Sequence, residues 1–112
     1  MTLTLPVNKF YFNQVKNKEL IEDFRAIKPY WIKRLVKNEF KHLEGWDLVN
    51  KYVEMKGDIF KTFEEIIFQM GYNENSPIVK TKFKGIRLTH PDEITCMGTG
   101  LITFAIEIEY LK

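Results

Sequence analysis

Two short segments in which apolar and polar residues alternate strictly constrain the fold most strongly. One covers residues 78–84 and the other residues 103–110. A period of two residues places alternate side chains on opposite faces of an extended chain, so both segments are predicted to be β-strands with one buried face. The last strand is predicted to turn Phe104, Ile106, Ile108 and Tyr110 inward and Thr103, Ala105, Glu107 and Glu109 outward.

Three further strands are predicted from shorter patterns. Leu3 and Leu5 alternate with threonines until Pro6 stops the strand. Residues 19–25 and 64–70 are the other two. The apolar parity changes after Gly85, and a glycine at such a change indicates a β-bulge or a sharp strand bend. Small barrels turn their corners at such bends.

Helical spacing is found mainly in the first half of the chain. Residues 7–15 repeat apolar side chains at helical intervals after Pro6, and residues 29–43 do so after Lys28-Pro29. Gly45 is expected to end the second helix. Residues 46–62 are harder to assign, although apolar residues at 48–53 indicate a short helix.

These elements predict an α+β fold in a single domain, residues 1–112. About five short strands and two helices favour a small, partly closed mixed β-barrel with the two helices flanking it. A chain of 112 residues is long enough to form one hydrophobic core without disulfide bonds.

The charge is distributed unevenly along the chain. Residues 1–41 hold nine Lys or Arg and four Asp or Glu, whereas residues 42–112 hold eight and eleven. A basic end on a protein of net charge +2 indicates an anionic partner. The start of the chain lacks a secretory signal, and no apolar run is long enough for a membrane span. With a single cysteine, the sequence predicts a cytoplasmic protein without a metal site or other cofactor and without a membrane partner.

The order and spacing of the elements resemble the ASCH domain, a family of PUA-like barrels. The likeness covers nearly the whole chain except residues 37–63, of which residues 44–63 resemble an insertion. It is nearest to short stand-alone members of bacteria and phages. It is carried by Lys28-Pro29-Tyr30-Trp31, Phe68-Gln69-Met70-Gly71-Tyr72, Thr89-His90-Pro91 and Phe104-Ala105-Ile106. The resemblance implies a cleft between barrel and helices that binds RNA or modified nucleosides.

One family motif differs at the position of its catalytic lysine. The motif Gly-x-Lys-x-x-Glu-x-Arg, aligned on Arg25, places Lys18 at the glycine, Leu20 at the lysine and Asp23 at the acid. Leu20 cannot accept or donate a proton. The sequence therefore favours binding over hydrolysis. The remaining catalytic candidates are Asp23, as an acid or base, and Lys18, two residues before Leu20 on the same strand face.

The densest candidate site combines cations for phosphates with flat rings for bases. Its predicted ligand-binding residues are Arg25, Lys28, Tyr30, Trp31, Lys33 and Arg34. On the helix predicted for residues 29–43, Lys33, Lys37 and Lys41 would share one face. A competing interpretation places the rings in the core and leaves the cations solvated. Lys80, Lys82 and Lys84 are interpreted as protection of an edge strand.

Three functional hypotheses follow. The first is a module that binds RNA or a nucleotide-like ligand. The second is an amidohydrolase or ribonuclease acting on a modified nucleoside or RNA. The third is a phage-encoded interaction module whose partner is a host protein of a defence system, with Trp46, Tyr52 and Phe60 of the insertion as an exposed apolar patch. His90 and Cys96 lack a third orienting group and are not predicted to form a catalytic pair.

Overall fold

The computed structural model describes residues 1–73, 75–89 and 102–111, in which five strands and three helices are found. In chain order they are β1 (Thr2–Val7), α1 (Lys9–Lys16), β2 (Glu22–Ala26), α2 (Pro29–Leu35), α3 (Gly45–Glu54), β3 (Glu65–Met70), β4 (Ile78–Thr89) and β5 (Thr103–Glu109). The strands form one mixed sheet in the order β1-β3-β4-β5-β2. The predicted α+β class and the five strands are confirmed, whereas the described helices number three and not two.

Strand β1 continues through Pro6, where the sequence predicted that it would stop. It runs parallel to β3, with Leu5 opposite Phe68 and Val7 opposite Met70. The carbonyl of Val7 accepts from the Gly71 amide at 3.0 Å, so the odd-numbered residues of β1 direct their backbone groups toward β3. The nitrogen of Pro6 therefore lies on the side away from β3, and its missing proton costs no hydrogen bond to that strand.

Helix α1 begins later than predicted because Asn8 caps it. The Asn8 side chain accepts a hydrogen bond from the Tyr11 amide at 2.9 Å, which satisfies one of the open donors of the first turn. Phe12 and Val15 are buried. The apolar spacing thus identified the helix, whereas its start was set by a capping side chain and not by Pro6.

Strand β4 confirms the predicted alternation over residues 79–84 and contradicts one inference drawn from it. Thr81 is buried and its hydroxyl donates to the Ile66 carbonyl at 3.2 Å, while Lys80, Lys82 and Lys84 are exposed. Because β4 lies between β3 and β5, it is not an edge strand, and the interpretation of these lysines as edge protection is wrong. The strand also continues unbroken through Gly85.

The described residues form two units by their mutual contacts. Unit 1 comprises Met1–Asp23, Thr62–Gly85 and the described residues from Glu107 onward. Unit 2 comprises Phe24–Lys61 and the described residues of Ile86–Ile106. The largest fully buried side chains of unit 1 are Leu3, Leu5, Val15, Ile66, Phe68 and Thr81. Those of unit 2 are Leu35, Val36, Leu48, Ile59, Phe104 and Ile106.

Helix α2 ends at Leu35, eight residues before its predicted end. Val36 turns to an extended conformation (φ −95°, ψ 141°) and forms an isolated antiparallel bridge with Phe60. The Lys37 amide donates to the Ile59 carbonyl at 2.9 Å, and the Lys61 amide donates to the Leu35 carbonyl at 2.8 Å. A buried β-branched residue paired in this way is more stable extended than helical, so the helical spacing after residue 35 was misleading.

Part of the 44–63 insertion packs into the core of unit 2. Leu48 and Ile59 are fully buried, and the buried Phe60 ring packs against Phe104 at 5.9 Å between ring centres. Tyr52 packs on the other flank of Phe60 at 5.8 Å. The predicted exposed patch is therefore wrong for Phe60, and it holds for Trp46, which is 72% exposed.

The sequence predicted that Gly45 ends the preceding helix. Instead, Gly45 is the first residue of helix α3. Its φ of +56° lies in the left-handed region that glycine enters without a steric cost. The two faces of α3 differ in burial: Leu48 is buried, whereas Trp46 and Val53 are exposed.

Strand β5 departs from the predicted alternation in burial. Thr103 and Ala105 were predicted to face outward, yet they are as buried as Phe104 and Ile106. Strand β5 lies between β4 and β2 and is covered on both faces over residues 103–106. Alternating polarity identified the strand, but it could not show that small residues such as alanine occupy a second covered face.

Replacement of Leu48 by alanine tests how firmly the insertion is built into unit 2. Removal of this fully buried side chain leaves a cavity, so Leu48→Ala is expected to lower the free energy of unfolding by about 2–5 kcal/mol. Val53→Ala on the exposed face of the same helix is the matched control and should change it by less than about 0.5 kcal/mol. Urea denaturation measures both, and equal effects would contradict the described packing.

Tyr110 provides a pH-dependent test of unit 1. Its hydroxyl donates to the Leu20 carbonyl, and desolvation by burial, together with the negative charge of Glu19, raises its pKa above the usual 10.0. Because the folded pKa exceeds the unfolded one, this stabilisation is present below about pH 10 and is lost as the pH rises through the folded pKa. In Tyr110→Phe we expect a loss of about 1 kcal/mol at neutral pH from the missing hydrogen bond and a shallower decline of stability at alkaline pH. Urea denaturation at pH 7 to about 11 compares the two proteins, and identical pH profiles would contradict this role.

Candidate nucleic-acid interface

The candidate binding residues lie at the end of β2 and along α2, all within unit 2. Lys28 is extended (ψ 157°) and immediately precedes the helix, and Pro29 occupies its first turn, where a missing backbone proton is harmless. Tyr30 and Trp31 follow at once, and Arg34 lies one turn later. Because the Lys28-Pro29 step fixes the start of α2, it also places Tyr30, Trp31 and Arg34 at neighbouring positions on one helix surface.

Four of these residues form a cation–aromatic cluster: Arg25, Tyr30, Trp31 and Arg34. The Arg34 Nη1 donates a hydrogen bond to the Tyr30 hydroxyl at 3.0 Å. The guanidinium carbon of Arg34 lies 5.5 Å from the Tyr30 ring centre and 5.4 Å from that of Trp31. That of Arg25 lies 4.8 Å from the Trp31 ring centre. All three separations lie within the range of cation–π attraction.

The two rings of the cluster differ in what they can offer a ligand. They meet edge to face at 4.9 Å and 89°, with Tyr30 57% exposed and Trp31 half-buried. Trp31 already has two guanidinium groups against its ring. Tyr30 is thus the ring with surface available for stacking, and Trp31 is the support that orders both arginines. The competing core interpretation fits Trp31 better than Tyr30.

The charge of the cluster restricts the ligands it suits. An aromatic cage for a cationic ligand needs ring faces that no other cation covers. Here Arg25 and Arg34 lie over the rings, so they would repel a cationic ligand and attract an anionic one. Guanidinium groups also bind phosphate oxygens in pairs. The geometry suits a ligand that joins a flat ring to a phosphate.

Lys28 and Lys33 lie between the cluster residues in the chain, and both are exposed. The backbone carbonyl of Lys33 accepts a hydrogen bond from the Lys61 Nζ at 3.0 Å, which satisfies an open acceptor in the last turn of α2. Lys61 was not among the predicted residues. It is distant in sequence and follows no motif, so only the fold could place it at the end of this helix.

The basic stripe predicted for Lys33, Lys37 and Lys41 does not form. It required one helix through residue 43, and α2 ends at Leu35. The Lys37 Nζ instead lies 2.8 Å from an Asp58 carboxylate oxygen in a salt bridge. Lys41 is exposed in a turn segment. The loss of the helix thus removes the shared face on which this prediction depended.

The two catalytic candidates occupy different settings within unit 1. Asp23 is 8% exposed in β2, and it takes part in at least one polar or electrostatic interaction. Lys18 is exposed in the turn after α1, where its φ of 61° is left-handed. Leu20 lies at the position of the family lysine, and its carbonyl accepts a hydrogen bond from the Tyr110 hydroxyl. The segment around Leu20 therefore has a structural role in unit 1.

Other predictions concern residues for which the structure gives little or nothing. His90 and Cys96 lie outside the described residues. Within the described ranges, no group of three or more His, Cys, Asp or Glu side chains is arranged to hold a metal ion. None of the helices in the described part of the chain has the length and hydrophobicity needed to cross a membrane.

Comparisons with known proteins give no match to this chain: none to a protein-family model, none to a curated protein and none to a solved structure. The resemblance to the ASCH domain therefore stays a prediction.

A double-mutant cycle on Arg25 and Trp31 tests the cation–aromatic cluster. The variants Arg25→Met, Trp31→Leu and their combination remove the charge, the ring and both, while most of the apolar volume remains. We expect a coupling of about 0.5–2 kcal/mol in the free energy of unfolding, because a half-buried guanidinium–indole contact is partly desolvated. Urea denaturation measures it. The same cycle on exposed Lys80 and Trp31 is the control, and additivity at both pairs would contradict the cluster.

Proposed function

We propose that this protein is a PUA-like module of the ASCH type that binds RNA or a nucleotide-like ligand through the cation–aromatic cluster. The observation that carries the proposal is the exposed Tyr30 ring, held beside the Arg34 guanidinium by a 3.0 Å hydrogen bond. The five-stranded mixed sheet supports the α+β part of this proposal, and its partial closure into a small barrel is proposed with it.

Each member of the cluster has a distinct proposed role. Tyr30 stacks on one base, which is a sequence-tolerant contact because every base has a π-face. Arg34 binds the adjacent phosphate, and its bond to the Tyr30 hydroxyl fixes the spacing between base and phosphate. Arg25 and Trp31 hold this pair in place. Lys28 and Lys33, both exposed, add long-range attraction for the backbone.

Binding without turnover is the form of the proposal that the residues support. Leu20 offers no titratable group at the position where the family resemblance implies a catalytic lysine, and its carbonyl is used by Tyr110. The proposed site works through positive charge and an open ring, neither of which requires a proton transfer. The basic balance of residues 1–41 supports the same kind of ligand.

Titration of a fluorescein-labelled oligouridylate of about 10 nucleotides, followed by anisotropy, tests the proposal. Tyr30→Ala is expected to weaken binding about 5- to 150-fold, since a stacked base contributes about 1–3 kcal/mol. Arg34→Gln should weaken binding and also reduce its salt dependence between about 50 and 200 mM salt. Lys80→Gln, which removes an exposed charge of unit 1, is the matched control and should bind nearly as tightly as the wild type.

Two results would contradict the proposal. One is the absence of binding at low salt by a protein whose circular dichroism shows an intact fold. The other is equal affinity of the Tyr30→Ala and Lys80→Gln variants. Cleavage of the oligonucleotide in the same mixtures, abolished by Asp23→Asn, would support the hydrolase interpretation in its place.

A further inference from the structure

Helix α3 has apolar side chains on its exposed side, opposite the buried Leu48. Trp46 is 72% exposed and Val53 is 69% exposed. They are seven residues apart, which is two helical turns, so both lie on one face, with half-buried Val49 between them. We call Trp46, Val49 and Val53 the α3 outer face.

The opposite face of α3 holds the helix in place. Leu48 is fully buried, and the Tyr52 ring packs on Phe60 at 5.8 Å. The Lys51 Nζ forms a salt bridge with Glu54 at 3.0 Å along the helix. The helix that carries the α3 outer face is therefore already ordered, so binding of a partner costs little additional conformational entropy in its backbone.

The charges around Trp46 indicate the chemistry of what docks there. Glu44 and Asp47 are exposed on either side of it in the chain. An acid in the first turn also suits the N-terminus of a helix, but that does not account for an exposed tryptophan and valine on the same surface. An exposed apolar side chain with two acidic neighbours is complementary to a segment with an apolar anchor and flanking lysines or arginines.

We infer that the α3 outer face docks a basic amphipathic segment of a partner protein. Trp46 is the central contact, because tryptophan is over-represented among the residues that dominate binding energy. The negative charges of Glu44 and Asp47 disfavour nucleic acid and anionic lipid as occupants. This inference does not depend on the proposed function, since it uses a helix that contributes no residue to the cation–aromatic cluster.

The probe is a short dye-labelled amphipathic peptide of leucine and lysine, compared with one in which glutamate replaces lysine. The lysine peptide should bind in an anisotropy titration and the glutamate peptide should not. Trp46→Ala should weaken binding about 10-fold or more. Tyr72→Ala, which removes an aromatic residue 90% exposed in unit 1, is the matched control and should leave it unchanged. The double variant Glu44→Lys/Asp47→Lys should reverse the preference between the two peptides.

Three outcomes would overturn the inference. The first is equal binding of both peptides, and the second is an affinity of Trp46→Ala equal to that of Tyr72→Ala. The third is concentration-dependent dimerisation in sedimentation experiments that Trp46→Ala abolishes, which would assign the surface to a second copy of this chain. None of these results bears on binding of the oligouridylate by Tyr30 and Arg34, so the two proposals fail separately.

Discussion

The pairing of Val36 with Phe60 is the interaction on which unit 2 depends. It stops helix α2 one residue after Arg34 and turns the chain into an extended segment. Hydrogen bonds from Lys37 to Ile59 and from Lys61 to Leu35 close this short ladder on both sides. A single residue pair with strand-like hydrogen bonding thus connects the helix that carries the candidate site to the segment that leads from α3.

The consequences of this pairing extend in both directions along the chain. Toward the N-terminus, it ends α2 at Leu35, directly after the last residue of the cation–aromatic cluster. Toward the C-terminus, Phe60 is directed against Phe104 and Tyr52. Burial of one face of the insertion leaves the other face of α3 exposed. The two candidate surfaces thus lie on the two segments that this pairing connects.

The sequence was informative wherever local pattern and tertiary packing agree. Alternation over 79–84 located β4, and the Lys28-Pro29 step located the start of α2 and with it the aromatic pair. It failed where a distant partner decides the conformation. The helical spacing beyond residue 35 could not show that Val36 pairs with Phe60, nor that Asp58 forms a salt bridge with Lys37. Alternating polarity likewise could not show that Thr103 and Ala105 are covered, because small residues such as these give no hydrophobic signal for a second packed face.

The Tyr30–Arg34 pair is the proposed point of ligand contact, and Trp31 is its proposed support. The most direct measurement is a titration of isotope-labelled protein with unlabelled oligouridylate, followed by amide and side-chain chemical shifts. We predict that the Tyr30 ring and the Arg34 guanidinium shift first and most strongly, followed by Lys28 and Lys33, while α3 stays unperturbed. Shifts centred on other residues, or no shifts at concentrations that saturate the anisotropy signal, would contradict the account.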